Sequence, residues 1–293
     1  MLTAVFGLTG ALVFGSADFL GGLAAKRISA MRVTALSAAT GLVALLITTA
    51  FVGGTWSPSA LIWGALSGVS GSLAIALLYA SLAIGPMSIL SPLTAVLGAV
   101  VPMVWGLLTG DRFAPLGYAA LALALVAIVL VGFVPEKGAV RASMRGLLLA
   151  SGSGILIGAF LIFIHQAPND SGLIPLVMNR AASTSIMFAT IGILAWVRGR
   201  RSADDSSGAE RGRAGWIPGL PLALACGVVD AVGNALLLVG LRLGDLSVMS
   251  VLTAMYPAGT IILAAIVLKE RIAPVQWAGL ILAIAAAGML AVA

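Results

Sequence analysis

The sequence repeats itself at long range, and this repeat constrains the fold more than any other feature. Residues 82–124 align with residues 241–283 at a constant offset of 159 positions, and 15 of the 43 aligned positions are identical. The matches include Gly, Ser, Thr, Arg and Pro, which are hard to attribute to chance even in an Ala/Leu-rich chain. Ser88 corresponds to Ser247, and Asp111 to Glu270. A duplicated block of membrane helices is how transporters build two faces around one central site.

The chain is too apolar to fold as a water-soluble protein. Its 293 residues are 61% hydrophobic and 9% charged, whereas soluble domains carry about 25% charged residues. The net charge of +6 comes from basic residues in short loops, without the basic face and stacking aromatics of a nucleic-acid-binding protein. The single cysteine, Cys226, excludes an internal disulfide and a cysteine-based metal cluster. We expect no cofactor and no metal.

Ten apolar runs are long enough to cross a bilayer, which takes about 20 residues of helix. They cover residues 2–24, 31–52, 59–80, 86–108, 114–134, 145–165, 173–197, 217–240, 246–268 and 274–292. The first run has no positively charged region before it, which predicts a retained helix and not a cleaved signal peptide. The polar segment at about 198–215 predicts a surface loop. The sequence therefore predicts an all-α integral membrane protein with ten transmembrane helices.

The distribution of Lys and Arg predicts the orientation of these helices. Cytoplasmic loops carry the excess of basic residues. The loops after the odd-numbered runs hold thirteen: Lys26, Arg27, Arg32, Lys137, Arg141, Arg145, Arg198, Arg200, Arg201, Arg211, Arg213, Lys269 and Arg271. The even-numbered loops hold Arg112 and Arg242. We expect cytoplasmic odd loops and both termini outside. Five helices per half then predict two inverted repeats, residues 1–137 and 138–293, with a polar cytoplasmic loop at 198–215.

The ends of the two halves carry a family resemblance. The stretch Lys269-Glu270-Arg271-Ile272-Ala273-Pro274 and Pro257, thirteen residues before Glu270, resemble the EamA-type transporters of the drug/metabolite transporter superfamily. The first half departs from this pattern, with Gly98 in place of the proline and Asp111 in place of the glutamate. The resemblance implies that helices 1, 3, 4, 6, 8 and 9 line a central cavity, with helices 5 and 10 peripheral. The fourth helix would then bend at Pro92 or Pro102.

Three charged residues lie inside predicted helices, where each costs about 2.5–3.5 kcal/mol to insert. They are Asp18, Arg180 and Asp230. Asp18 shares a helical face with glycines and alanine, and Asp230 shares one with Ala223, Gly227 and Asn234. Small residues mark close helix packing, so both carboxyl groups should point into the bundle. They either form a proton- or cation-binding site in a cavity or pair with Arg180, which could neutralise either one or bind an anionic group.

Three aromatic residues complete the candidate binding site. Tyr79, Trp105 and Tyr256 lie on helices that the resemblance places around the cavity, and Tyr256 precedes Pro257, where a missing N–H frees a carbonyl. They could stack on a substrate or fill space in the core. The candidate substrate- or proton-binding residues are therefore Asp230, Asp18, Asn234, Arg180, Tyr256, Tyr79 and Trp105.

These features predict a secondary transporter and not an enzyme, since no nucleophile–base set or nucleotide-binding motif is present. We expect alternating-access movement of a small organic solute across a bacterial-type cytoplasmic membrane. Export of a metabolite, amino acid or cationic compound is the favoured form, with proton coupling as a hypothesis. A facilitated exchanger without proton coupling and a lipid-modifying membrane enzyme are the alternatives. The expected partners are the substrate and the lipid bilayer, with no nucleic acid, and the expected state is a monomer or weak homodimer.

Overall fold

The computed structural model of the protein describes residues 2–84, 86–132, 142–204 and 219–292, and within these ranges the regular structure is helical with no strand. The helices are α1 (Leu2–Ala25), α2 (Ala30–Val52), α3 (Pro58–Leu82), α4 (Met87–Thr109), α5 (Pro115–Gly132), α6 (Met144–His165), α7 (Ile174–Asp204), α8 (Leu220–Leu243), α9 (Leu246–Thr253), α10 (Tyr256–Val267) and α11 (Pro274–Val292). A short 3-10 turn, Asn169–Ser171, precedes α7.

Ten segments in these ranges are long and apolar enough to cross a membrane, with α9 and α10 together forming the ninth, Leu246–Val267. This confirms the predicted all-α membrane fold. Large apolar side chains cover the outside of the bundle: Phe51 is 87% exposed, Leu108 79% and Ile284 75%. Such a surface is stable against acyl chains and unstable in water. We call the membrane side with the loops after spans 1, 3, 5, 7 and 9 the odd-loop face, and the opposite side the even-loop face.

Serine residues begin three of the helices. Ser29, Ser57 and Ser143 have extended backbones, and their side-chain oxygens accept hydrogen bonds from the backbone N–H groups of Arg32, Ala60 and Gly146. Each bond satisfies one of the N–H groups that a helix start leaves without an intrahelical partner. At Ser29 and Ser57 the preceding helix ends only a few residues earlier, so capping there helps to begin the next span directly after a short connection.

The seventh helix is longer than predicted. α7 continues to Asp204, so Arg198, Arg200 and Arg201 belong to a helix and not to the expected loop. The membrane-spanning part of α7, Ile174–Trp196, agrees with the predicted run 173–197. Residues 198–204, however, are helical and not loop, because a helix that leaves the apolar region can continue in water. The remainder of the expected loop, residues 205–215, lies outside the described residues, as do Lys137 and Arg141.

The ninth span is broken, whereas the fourth is continuous. α9 ends at Thr253 and α10 begins at Tyr256. Pro257 has no N–H, so the carbonyl of Thr253 loses its helical donor, which accounts for a break at this point. α4 runs from Met87 to Thr109 through both Pro92 and Pro102. The bend expected at Pro92 or Pro102 therefore does not interrupt the fourth span. The two related spans differ at the position where one has Pro257 and the other Gly98.

Contacts between helices occur in equivalent pairs when each of spans 1–5 is matched with the corresponding span of 6–10. α1 packs against α8 as α6 packs against α3, and α2 packs against α8 as α7 packs against α3. Similarly, α1 lies against α9 and α10, as α6 lies against α4. Across the two sets, α5 also packs against α11, the last helix of each set, α2 against α7, and α4 against α9. This pattern is what two similarly folded halves packed about a shared axis would produce.

Candidate functional site

A cavity of about 820 Å³ lies between the two sets of helices. Helix ends on the odd-loop face form part of its wall, at Ala25, Ala30, Leu82, Gly132 and Gln276. From there it extends to the middle of the bundle, where Asp18, Arg180 and Asp230 line it. α2 and α7 also contribute to the wall, as do the ends of α5 and α11. The implied lining by spans 1, 3, 4, 6, 8 and 9 is therefore incomplete.

Contacts between loops join the helices on the opposite, even-loop face. Arg242, in the last turn of α8, donates from Nη2 to the carbonyl oxygens of Pro168 (3.3 Å) and Gly172 (2.8 Å). Thr55 donates its hydroxyl to a carboxylate oxygen of Asp170 at 2.6 Å and its N–H to the carbonyl of the same residue at 3.0 Å. These bonds connect the loops after spans 2 and 6 with the end of span 8. The cavity and the joined loops thus occupy opposite faces.

Arg180 and Asp230 form an ion pair in the middle of the bundle. A guanidinium nitrogen of Arg180 donates to Oδ2 of Asp230. Asn234, one helical turn further along α8, donates from Nδ2 to the Asp230 carbonyl oxygen at 2.9 Å and to Oδ2 at 3.3 Å. The side chains of Arg180 and Asp230 are 15% and 22% exposed, so both still reach the cavity. Of the alternatives that the sequence left open for Arg180, the structure therefore shows the ion pair with Asp230.

Asp18 stands apart from this pair. Its side chain is exposed at the cavity wall, and among the described residues it has no hydrogen bond and no ion-pair partner. Its helix approaches α10 through Gly15, where an added Cβ would meet the backbone of Gly259 and Thr260 at 2.7 and 2.6 Å. This tight contact fixes the rotation of α1 and turns Asp18 into the cavity. The predicted small-residue face is the physical cause.

The aromatic candidates divide into two groups. Tyr79 and Tyr256 line the cavity, as Asp18 does. Trp105 is not among the lining residues; it is 42% exposed near the even-loop end of α4. Phe160 and Ser183 line the cavity but were not predicted, because a single phenylalanine or serine in an apolar helix gives no signal in the sequence.

The repeat relation extends to the helices that hold the ion pair. Gly68 of α3 lies against the backbone of Asn179, and Gly227, its counterpart at the offset of 159, lies against the backbone of Ser37. The residues that follow Ser37 and Asn179 are Ala38 and Arg180. Three positions after the two glycines stand Gly71 and Asp230. Ala38 and Gly71 thus occupy, in the first half, the places of the ion-paired residues, and all four line the cavity.

Asp18 has an apolar counterpart as well. Phe14 of α1 lies against Gly233, while Ser153 of α6 donates to the carbonyl of Ala74, the residue 159 positions before Gly233. Four residues after Phe14 is Asp18, and four residues after Ser153 is Ile157. Both line the cavity. The cavity wall is thus built from related positions, but its charged groups have no charged counterparts.

The fold and the cavity define a helical membrane protein with a solute-sized chamber at the contact between two similar helix sets. The family model for the EamA-like transporter family matches residues 144–292. This span is half of the chain, and the protein belongs to that family of membrane transporters.

Comparison with solved structures supports the fold. Twenty-nine chains match. One of them, described only as the crystal structure of a protein, has a TM-score of 0.70 and 15% sequence identity, and the alignment covers 99% of this chain and 97% of the other. At this identity the likeness shows the shared fold and no more. The comparison with curated proteins gave no match.

Proposed function

We propose that the protein is an alternating-access secondary transporter whose substrate is a small organic cation, with Asp18 as the residue that takes the cationic group. The observation that carries the proposal is the carboxyl group of Asp18, which lies at the wall of a central cavity and has no ion-pair partner in the described part of the chain. Charges in such surroundings are costly unless they meet an opposite charge or a proton. Arg180 offers no such partner because it is bonded to Asp230.

The surroundings of Asp18 support a cation over an anion. With Arg180 and Asp230 paired, the charged groups at the cavity wall sum to one negative charge when Asp18 is ionised. Tyr256 and Tyr79 place aromatic rings on the same wall, and the face of an aromatic ring attracts a cation. A cavity of about 820 Å³ is within the range of small-molecule sites. We infer an amine or quaternary ammonium group on a solute of metabolite size.

We further propose that the odd-loop face is cytoplasmic, on the basis of its Lys and Arg residues, so that the cavity loads solute from the cytoplasm for export. In this scheme both termini are outside, and residues 1–137 and 138–293 form the two moving units of a single chain. Proton coupling is part of the proposal, because a proton and a cation can occupy the same carboxylate in turn. The proposal assigns the chain no catalytic step.

The substitution Asp18→Asn tests the cation site in reconstituted vesicles. We expect transport of small primary amines to fall at least about tenfold, since a hydrogen bond to a charged group contributes about 1.5–3 kcal/mol. Asp18→Glu keeps the charge and should retain measurable transport. Isosteric neutral alcohols serve as control solutes. Unchanged amine transport by folded Asp18→Asn protein would contradict the proposal.

A pH gradient across the same vesicles separates the remaining alternatives. Proton coupling predicts that an imposed gradient drives amine movement, whereas a facilitated exchanger responds only to the amine gradient. A lipid-modifying enzyme would instead yield an altered lipid, which mass spectrometry of the vesicle lipids would detect. If flux is independent of the gradient, proton coupling is wrong while the cation site at Asp18 stands.

A further inference from the structure

Asp111 connects the two halves on the even-loop face. It follows α4, and its Oδ2 accepts hydrogen bonds from the backbone N–H of Ser247 at 2.9 Å and from the Ser247 hydroxyl at 2.6 Å. The carbonyl oxygen of Met103 lies 2.9 Å from the same hydroxyl and is the alternative acceptor for its single hydrogen. Ser247 is in the first turn of α9, where the backbone N–H groups have no intrahelical acceptor and the helix dipole favours a negative charge. Asp111 thus caps α9 from the other half of the molecule.

The sequence repeat places a second carboxylate in the equivalent position on the opposite face. Glu270 follows α10 as Asp111 follows α4, and Ser88 stands in the sequence of the first turn of α4 where Ser247 stands in α9. Asp111 is half-buried at its contact, whereas Glu270 is exposed. Lys269, which precedes Glu270, has a φ of 56°, a left-handed conformation that is uncommon for a residue with a side chain. Strained backbone of this kind is often found at segments that switch conformation.

The difference between the two faces agrees with the packing of the helices. α4 packs against α9 near Asp111, but α4 and α10 are not among the extensively packed pairs. Ser91 and Ala95 of α4, and Thr260 and Ile261 of α10, instead line the cavity. The even-loop ends of these two spans are therefore in contact, while their odd-loop ends stand on the walls of the chamber.

We infer that Asp111 and Glu270 are alternating latches: Asp111 caps α9 and holds the even-loop face closed, and Glu270 caps α4 and holds the odd-loop face closed in the opposite state. Neither carboxylate touches the substrate; both are positioning residues for the transport cycle. The longer side chain of Glu270 suits its position, because the counterpart of Gly106 is Ala265. At Gly106 a Cβ would collide with the Ser247 hydroxyl, 2.6 Å away.

The latches rest on the alternating-access part of the proposed function and not on the identity of the solute. The test therefore uses no substrate. Cys226, the single native cysteine, is replaced by alanine, and Val248→Cys introduces a reporter. Val248 is 6% exposed beside Ser247 on α9, so a maleimide reaches the reporter only when the even-loop face opens. The protein is reconstituted in lipid nanodiscs, where both faces meet the reagent.

The two latches predict labelling changes of opposite sign. Asp111→Asn should raise the rate of maleimide labelling about tenfold, and Glu270→Gln should lower it about tenfold, since each removes a hydrogen bond to a charged acceptor from one of the two states. The double variant should return the rate towards that of the reporter background. Ser247→Ala, which leaves the backbone donor in place, should raise it less than Asp111→Asn.

Simple loss of stability predicts a different result. It would raise labelling in both single variants and raise it further in the double variant. That outcome, or an unchanged rate for Glu270→Gln, overturns the latches. Failure of the Asp18 transport test with the labelling pattern intact would instead remove the cation site and keep the latches. Size-exclusion elution in detergent verifies that each variant is folded.

Discussion

The two halves of the molecule share a packing pattern but differ in chemistry. Gly68 and Gly227 each bring a helix against the backbone of a neighbour, and Ala38 and Gly71 occupy in the first half the places of Arg180 and Asp230 in the second. At related positions, the first half thus leaves space where the second half has an ion pair. For α1 and α6 the chemistry is reversed, because Asp18 lies in the first half and Ile157 in the second.

The two halves separate the packing role of small residues from the electrostatic role of charged residues. Glycines are kept at related positions because two helices can approach closely only where a Cβ is missing. Charged residues need no symmetry, since both helix sets share one cavity. Duplication therefore supplies the framework, and divergence of a few cavity positions supplies the electrostatics of the site.

The largest effect is expected from separating the ion pair. Arg180→Gln or Asp230→Asn leaves an uncompensated charge inside the bundle, and we expect the free energy of unfolding to fall by about 3 kcal/mol, the low end for buried pairs because both side chains reach the cavity. The variant with both substitutions should recover most of this loss. Denaturant titration in bicelles measures all three.

Asp18→Asn is the matched control for this measurement. Because it removes a carboxylate that has no partner among the described residues, it should leave stability unchanged or raise it. A loss as large as that of Asp230→Asn would show that the two carboxyl groups have the same structural role, and would contradict the distinct role of Asp18.

A smaller effect is expected at the paired glycines. An alanine at Gly68 or Gly227 places its Cβ within 3.0 Å of the facing helix, and we expect each to lower the free energy of unfolding by about 1–3 kcal/mol. Gly192→Ala on α7 is the control, since nothing lies within 4 Å of its Cβ. Equal losses at the two sites support equivalent packing. A loss at Gly68 alone would show that the two contacts are not equivalent.

The smallest effect is expected at Ile157. Ile157→Val removes the terminal methyl group and keeps Cβ and Cγ2, the atoms that face Gly98, and it should cost about 0.5–1.5 kcal/mol of stability. Amine transport in vesicles should change little, because no charge is altered. A transport loss as large as that of Asp18→Asn would assign binding to the shape of the wall and not to its charge.

Several features followed from local sequence alone. The ten spans could be predicted because about 20 consecutive apolar residues have few stable alternatives to a membrane helix. The rotation of α1 followed from the small residues that share a face with Asp18, since small side chains let that face approach another helix closely. The end of α7 could not be predicted, because a polar segment that continues a helix has the same composition as a loop.

The sequence by itself determined the helical membrane fold, the related halves and the inward direction of the Asp18 and Asp230 side chains, because these depend on apolar length, register and residue size. Only the tertiary structure decided that Arg180 pairs with Asp230 and leaves Asp18 to the cavity, and that Trp105 lies away from the cavity. Those outcomes depend on which helices become neighbours, a three-dimensional property that one helix's residue pattern does not contain.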